Sequence, residues 1–157
     1  SLHIPWLFNF SGKPYLTQKW TRLICDEFYG TDGEHGYGYG QDEDQGQLGS
    51  WYVLAAMGLF DVQGGACSEP TYQLGSPEFD EITVHLSKFN AKGGKFRIIT
   101  KGNSADAMYV QNATFNGKPL DRCWLYRDEV FNGGELVLQM GTEPSDVWNN
   151  SEPPVSE

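Results

Sequence analysis

Hydrophobic periodicity changes once along this chain, at Gly64-Gly65. Before that point apolar residues recur at helical spacing, and beyond it they alternate as in half-buried strands. A sequence that reads helix first and strand later is expected to fold as α+β, with the two textures in separate layers. Residues 1–65 are therefore expected to be helical and residues 66–142 β-rich, with residues 143–157 as an extended tail.

The helical part resolves into two amphipathic segments. Residues 14–29 open on Pro14, which suits the first helical turn, and Gly30 is a plausible stop. Leu16, Trp20, Leu23, Ile24 and Phe28 fall on one face, expected to be the buried one. The second helix is expected over Leu48 to Phe60, with Leu48, Trp51, Tyr52, Ala55 and Leu59 in a stripe. In the β part, Ile82 to Leu86, Phe96 to Thr100, Met108 to Gln111 and Glu135 to Met140 read as strands. Asn116-Gly117 and Asn132-Gly133-Gly134 read as turns.

Composition narrows the function classes. The net charge of −10 opposes binding to phosphate backbones, so no nucleic-acid partner is expected. No apolar run is long enough to span a membrane as a helix. Three scattered cysteines, Cys25, Cys67 and Cys123, do not make a disulfide framework, and no CxxC pair suggests zinc. The chain opens inside dense aromatic sequence, His3 to Phe10, as expected of the C-terminal portion of a longer polypeptide.

Between the two helices, residues 31–47 form an acidic, glycine-rich loop in which Asp42-Glu43-Asp44 stand in a row. Three adjacent like charges repel, so the loop is where a functional task is expected. The spacing fails the EF-hand pattern, and acids beside Gly36, Gly38 and Gly40 would repel a phosphate. Asp42 and Asp44 flank one residue, so in an extended loop both carboxylates share a side and could do acid–base work on a water. The alternative is a solvated loop with Asp44 as the N-cap of the second helix. His3, His35 and His85 carry no distinguishing spacing.

The stretch Gln41-Asp42-Glu43-Asp44-Gln45-Gly46-Gln47-Leu48-Gly49-Ser50-Trp51-Tyr52-Val53 resembles the signature of glycoside hydrolase family 92, the calcium-dependent exo-α-mannosidases. Ala56 to Phe60, Tyr72 to Asp80, Asn116 to Pro119 and Asn132 to Leu136 resemble further motifs of that family. Ser1 to Leu7 resembles the end of its N-E-P-S-H-x-x-P-Y-L element. The resemblance covers residues 1 to about 142. It implies that the helices are the last of a catalytic (α/α)6 barrel, followed by an antiparallel β-sheet, sandwich-like C-terminal region.

It also implies inverting hydrolysis of terminal α-mannosides, with two carboxyl groups about 6.5–9.5 Å apart to admit a water. Asp44 matches the family's base and Asp42 the acid that assists it; His3, Glu43 and Gln47 match positions expected to bind substrate. The implied cofactor is Ca2+, with ligands not assignable from this chain. The implied partners are a mannose-containing oligosaccharide and the N-terminal remainder of the same enzyme, in a periplasmic or secreted bacterial setting. Asp42 stands where the family often has Asn, and Gln45 where it commonly has Cys. The general acid lies upstream of this chain. A competing reading is a non-catalytic carbohydrate-binding or structural β-module with a helical appendage.

Overall fold

The structure, a computed structural model, describes residues 2–29, 46–89, 92 and 94–154. A 3-10 segment, Ile4–Phe10, leads into helix α1, Pro14–Phe28, with a proline at the start of each. Helix α2 runs Gln47–Ala56 and is followed by a two-residue strand β1, Leu59–Phe60. The second helix thus ends sooner than its apolar stripe suggests. Gly58 turns the chain at φ +72°, and a Cβ there would stand 2.7 Å from the Pro77 ring. Only glycine accepts both the left-handed backbone and that approach.

Helix α1 buries a face turned away from the expected stripe, of which Leu16, Leu23 and Ile24 are half-buried and Trp20 and Phe28 exposed. It buries Thr17, Gln18, Thr21, Arg22 and Cys25, while Trp20 is 44% and Phe28 51% exposed. Burial of this polar face is possible because its groups find partners. The backbone N–H of Val110 donates to Gln18 Oε1 at 2.9 Å, and Thr21 Oγ1 donates to the Thr17 carbonyl at 2.8 Å. Arg22 donates to Ser76 Oγ, the Pro77 carbonyl and Asn103 Oδ1. Hydrogen-bonded polar groups can be buried with little net cost, so periodicity of apolar residues alone did not choose the buried face.

The β part holds β2 (Thr71–Leu74), β3 (Glu81–Leu86), β4 (Gly94–Lys101), β5 (Tyr109–Phe115) and β6 (Lys118–Pro119). It continues with β7 (Trp124–Tyr126), the short helix α3 (Arg127–Phe131) and β8 (Gly134–Gly141). Two sheets result, ordered β1-β2-β7 and β3-β4-β8-β5-β6. The second is mixed rather than antiparallel, because β8 inserts between β4 and β5 and runs parallel to β4. A parallel pair needs a long crossover, and here the excursion through β5, β6, β7 and α3 supplies it. The β5–β6 hairpin turns at Asn116 and Gly117, both with positive φ, as a two-residue hairpin loop of the I′ kind requires.

Two apolar clusters organise the chain. The larger joins Phe96, Ile98, Val110, Leu125, Leu136 and Leu138 from the strands. The smaller centres on Trp6, Cys25, Trp51 and Ala55. The stretch after β8, expected to be an extension, instead straps the larger cluster up to Pro154. Trp148 is 1% exposed and donates from Nε1 to the Leu120 carbonyl, and Trp124 Nε1 donates to the Glu152 carbonyl. A single buried indole outweighs the polar character of its neighbours.

Candidate functional site

Two of the sequence-predicted site residues meet in one cleft. His3 caps the start of the 3-10 segment, Gln47 opens α2, and both are solvent-exposed and line a cavity of about 590 Å³. Ser50 and Asp61 add polar groups to the same lining, and Trp51, Leu54, Phe60 and Val62 add apolar wall. Exposed polar groups over apolar and aromatic walls suit a polyhydroxylated ligand. Asp42, Glu43 and Asp44 lie outside the described residues. The N-cap position of α2 is taken by Gly46 at φ +93°, without a side-chain cap, so Asp44 is not the N-cap.

Each wall is held from behind. Asn9, 3% exposed, donates from Nδ2 to Gln73 Oε1 and to the carbonyls of Leu74 and Cys123, which welds the 3-10 segment to the β part. Trp6 stacks on Phe60 with ring centroids 5.3 Å apart. Trp51 donates from Nε1 to the Leu2 carbonyl at 2.8 Å, directly beside His3. On the other wall, the Gln63 N–H donates to Asp61 Oδ1 at 2.9 Å, which fixes that carboxylate's rotamer.

Behind α2 lies a second polar group, formed by Arg22, Cys25, Tyr52 and Glu78. Tyr52 donates to Glu78 Oε2 at 3.4 Å. Burial lowers the Arg22 pKa, opposed by the charges of Glu78 and Asp26. Burial and the neighbouring Glu78 push the Cys25 thiol far up, and the same two causes raise the Tyr52 phenol. This network has every sign of a buried structural tie, since Arg22 points its donors at backbone and amide acceptors. Among the described residues there is no group of three or more His, Cys, Asp or Glu that could hold a metal ion.

Sequence reasoning missed Ser50, Trp51 and Asp61 as lining residues. Ser50 and Trp51 could have been found from the helical spacing after Gln47, which puts them within one turn. Asp61 had no signal, because its place beside His3 depends on the turn at Gly58.

Comparison with known proteins gives this geometry a setting. The profile of the glycosyl hydrolase family 92 catalytic domain matches residues 1–142. A protein described as an uncharacterized secreted glycosidase, from Arthroderma benhamiae, is 29% identical over 152 residues, 94% of this chain and 18% of that protein. A family GH92 α-mannosidase from Bacteroides thetaiotaomicron superposes with a TM-score of 0.83 at 29% identity, covering 98% of this chain and 20% of the other. A family GH92 inverting mannosidase from the same bacterium gives 0.81 at 34% identity, covering 96% and 20%. The chain thus spans about a fifth of the length of these relatives. No helix among the described residues is long and apolar enough to cross a membrane. Because that profile spans residues 1–142 of the 157, and solved members of the family share the fold, the chain belongs to the glycosyl hydrolase family 92 catalytic domain family.

Proposed function

We propose that this chain is the C-terminal part of the catalytic region of a secreted or periplasmic, calcium-dependent, inverting exo-α-mannosidase acting on terminal α-mannosides of glycans. The observation that carries the reading is the convergence of His3 and Gln47 on one cleft, at the end of α2 to which the acidic segment is joined. In this reading His3, Gln47 and Glu43 hold sugar hydroxyls. Asp44 takes a proton from the attacking water, and Asp42 orients that water or raises the basicity of its partner. A carboxyl group elsewhere in the polypeptide protonates the leaving oxygen from the opposite face. Ca2+, a hard cation suited to oxygen ligands, would hold vicinal hydroxyls of the sugar. Among the described residues there is no group of three or more carboxylate, His or Cys ligands for it.

The two helices are, in this reading, the last of an (α/α)6 barrel. Ile4, Leu7 and Phe10, spaced by three, share one side of the 3-10 segment and are 41–54% exposed. With Trp20, Phe28 and Val53 they leave large apolar groups uncovered on the helical part. An apolar surface of this kind marks an interface, and the N-terminal remainder of the same enzyme is the partner proposed for it. The competing sugar-binding module would need an aromatic platform on the β part; Trp124 and Trp148 there are 7% and 1% exposed, and the exposed Phe79 and Phe89 stand at opposite ends of β3.

The test uses the full-length polypeptide that contains this chain, incubated with α-mannobiosides and followed by NMR of the anomeric protons, with and without EDTA. β-Mannose appearing first, and only without EDTA, is the expected result. α-Mannose appearing first would overturn inversion, EDTA-insensitive release would overturn the metal, and no mannose from any linkage would overturn the activity.

A further inference from the structure

Three stretches of this chain carry the Asn-x-Ser/Thr pattern that accepts N-linked glycans, at Asn9, Asn112 and Asn149. The fold treats them differently. Asn9 is buried and commits its Nδ2 to Gln73 and two backbone carbonyls. Asn149 is half-buried, with Nδ2 donating to Asp146 Oδ1 at 2.8 Å, and the hydroxyl of Ser151 in the same sequon accepts the Cys123 N–H. Asn112 is exposed, and among the described residues its side chain has no hydrogen-bond partner.

A β-bulge turns Asn112 outward. Val110 pairs with Met140 and Asn112 with Gln139, so Gln111 is an extra residue in β5. Side chains alternate along a strand, and one inserted residue exchanges the faces beyond it. Val110 and Ala113 therefore both enter the core, while Asn112 and Thr114 share the open face. The bulge is itself held in place. Gln111 Nε2 donates to the carbonyls of Tyr109 and Glu143, at 3.2 and 2.7 Å. Its side chain lies so close over Gly141 that a Cβ there would stand 2.8 Å from Gln111 Cγ. Asn112 and Thr114 border a recess of about 350 Å³ with Lys101, Val137 and Gln139, and none of these residues lines the His3 cleft.

We propose that Asn112 is an N-glycosylation site, the one sequon of the three whose asparagine this fold leaves free to carry a glycan. The inference rests on the secreted setting proposed above, and not on the mannosidase activity. The co-reactant is a lipid pyrophosphate-linked oligosaccharide, which the secretory compartment supplies together with its transferase. Nδ2 of Asn112 bonds to the anomeric carbon of the first sugar and gives up one of its two protons to a base of the transferase. The bond from that carbon to the pyrophosphate oxygen breaks with its electron pair, and the lipid pyrophosphate leaves. A glycan is bulky and solvated, so the fold acts as a filter on where it is kept. On Asn9 it would strip donors from buried acceptors. On Asn112 it projects from the sheet into solvent. A glycan there also requires the open face of the five-stranded sheet to stay uncovered in the full-length polypeptide.

The test uses the full-length polypeptide that contains this chain, secreted by a yeast behind a secretion leader. Endoglycosidase treatment of the native protein, followed by peptide mapping by mass spectrometry, reads the sugar remnant at each asparagine. A remnant on Asn112, with Asn9 and Asn149 bare, is the expected result, and the gel shift is expected to vanish in both Asn112→Gln and Thr114→Ala. Ser11→Thr and Ser151→Thr give all three sequons the same hydroxyl residue, and Asn9 and Asn149 are expected to stay bare in the secreted protein even then. Asn112→Gln is expected to keep kcat/KM within about threefold of the parent, because the recess lies outside the cleft. A bare Asn112 in the secreted protein would overturn the proposal, as would a glycan on Asn9 or Asn149. If the parent releases no mannose, the activity reading fails, while the peptide map still decides the glycan. If too little protein reaches the medium, the same map of the protein retained in the cell decides on Asn112.

Discussion

Asn9→Asp is the most informative single substitution in this fold. The side chains have the same shape, so no cavity opens, and the only change is that a two-proton donor becomes an acceptor. Nδ2 of Asn9 now donates to Gln73 Oε1 at 3.2 Å, the Leu74 carbonyl at 3.0 Å and the Cys123 carbonyl at 3.2 Å, at a site 3% exposed. Two N–H groups shared among three acceptors, worth about 1 kcal/mol per hydrogen bond, are lost, and an oxygen then faces three acceptors. Ionising that carboxyl adds the cost of a buried, unpaired charge, so it takes up a proton instead and its pKa rises above the ordinary value of about 3.9. The net loss of stability is expected to be about 3–5 kcal/mol near neutral pH. The sign with pH follows from the raised folded-state pKa. The cost is full above that value and shrinks as pH falls toward the unfolded-state pKa, because the protonated acid can donate once again to one carbonyl. Urea unfolding followed by tryptophan fluorescence at pH 5 and pH 7.5 measures both effects. A variant within about 0.5 kcal/mol of the parent at pH 7.5, the scatter of ordinary surface changes, would refute the reasoning. So would one destabilised more at pH 5 than at pH 7.5.

The exposure of Trp20 on α1 makes Trp20→Glu informative. In this chain alone it should change stability by less than about 0.5 kcal/mol, whereas in the full-length polypeptide it should lower the melting temperature by several degrees if the apolar face is covered there. Equal effects in both would refute the interface. Thiol labelling of the native chain near pH 8 should reach Cys67 ahead of Cys25 and Cys123, both of which are buried; fast labelling of all three would refute their burial. The Cys123 thiol is raised to about 11 from an ordinary 9.0, chiefly by burial. Its contribution to stability is therefore complete below pH 9 and lost on rising to about pH 11, in total about 2–3 kcal/mol. Cys123→Ala should flatten the alkaline slope of stability against pH by that amount, and an identical slope would refute it.

Four of the eight strands, β3, β4, β5 and β8, were legible because alternation is a local property. Ile82 to Leu86 alternates in sequence and in burial, and Asn116-Gly117 marked its hairpin from backbone preference alone. The short strands β1, β2, β6 and β7 were not legible, since two to four residues carry too little periodicity to stand out. Of the site, His3 and Gln47 were named from motif resemblance, but nothing in the sequence placed them in one cleft with Asp61.

What the sequence determined by itself was the α+β class, the start of α1 at Pro14 and the family motifs, all set by spacing or local backbone preference; the first strand, Leu59–Phe60, comes before the expected switch at Gly64-Gly65. Tertiary structure decided which face of α1 is buried. An apolar stripe seeks cover but does not say where cover lies, and the sheet offered hydrogen-bond partners that fit Gln18 and Arg22. It decided too that β8 runs parallel to β4, because register between distant strands depends on the path of the chain between them. It seated Trp148 in the core for the same reason, since a tail is judged polar by its average and bound by its one large side chain.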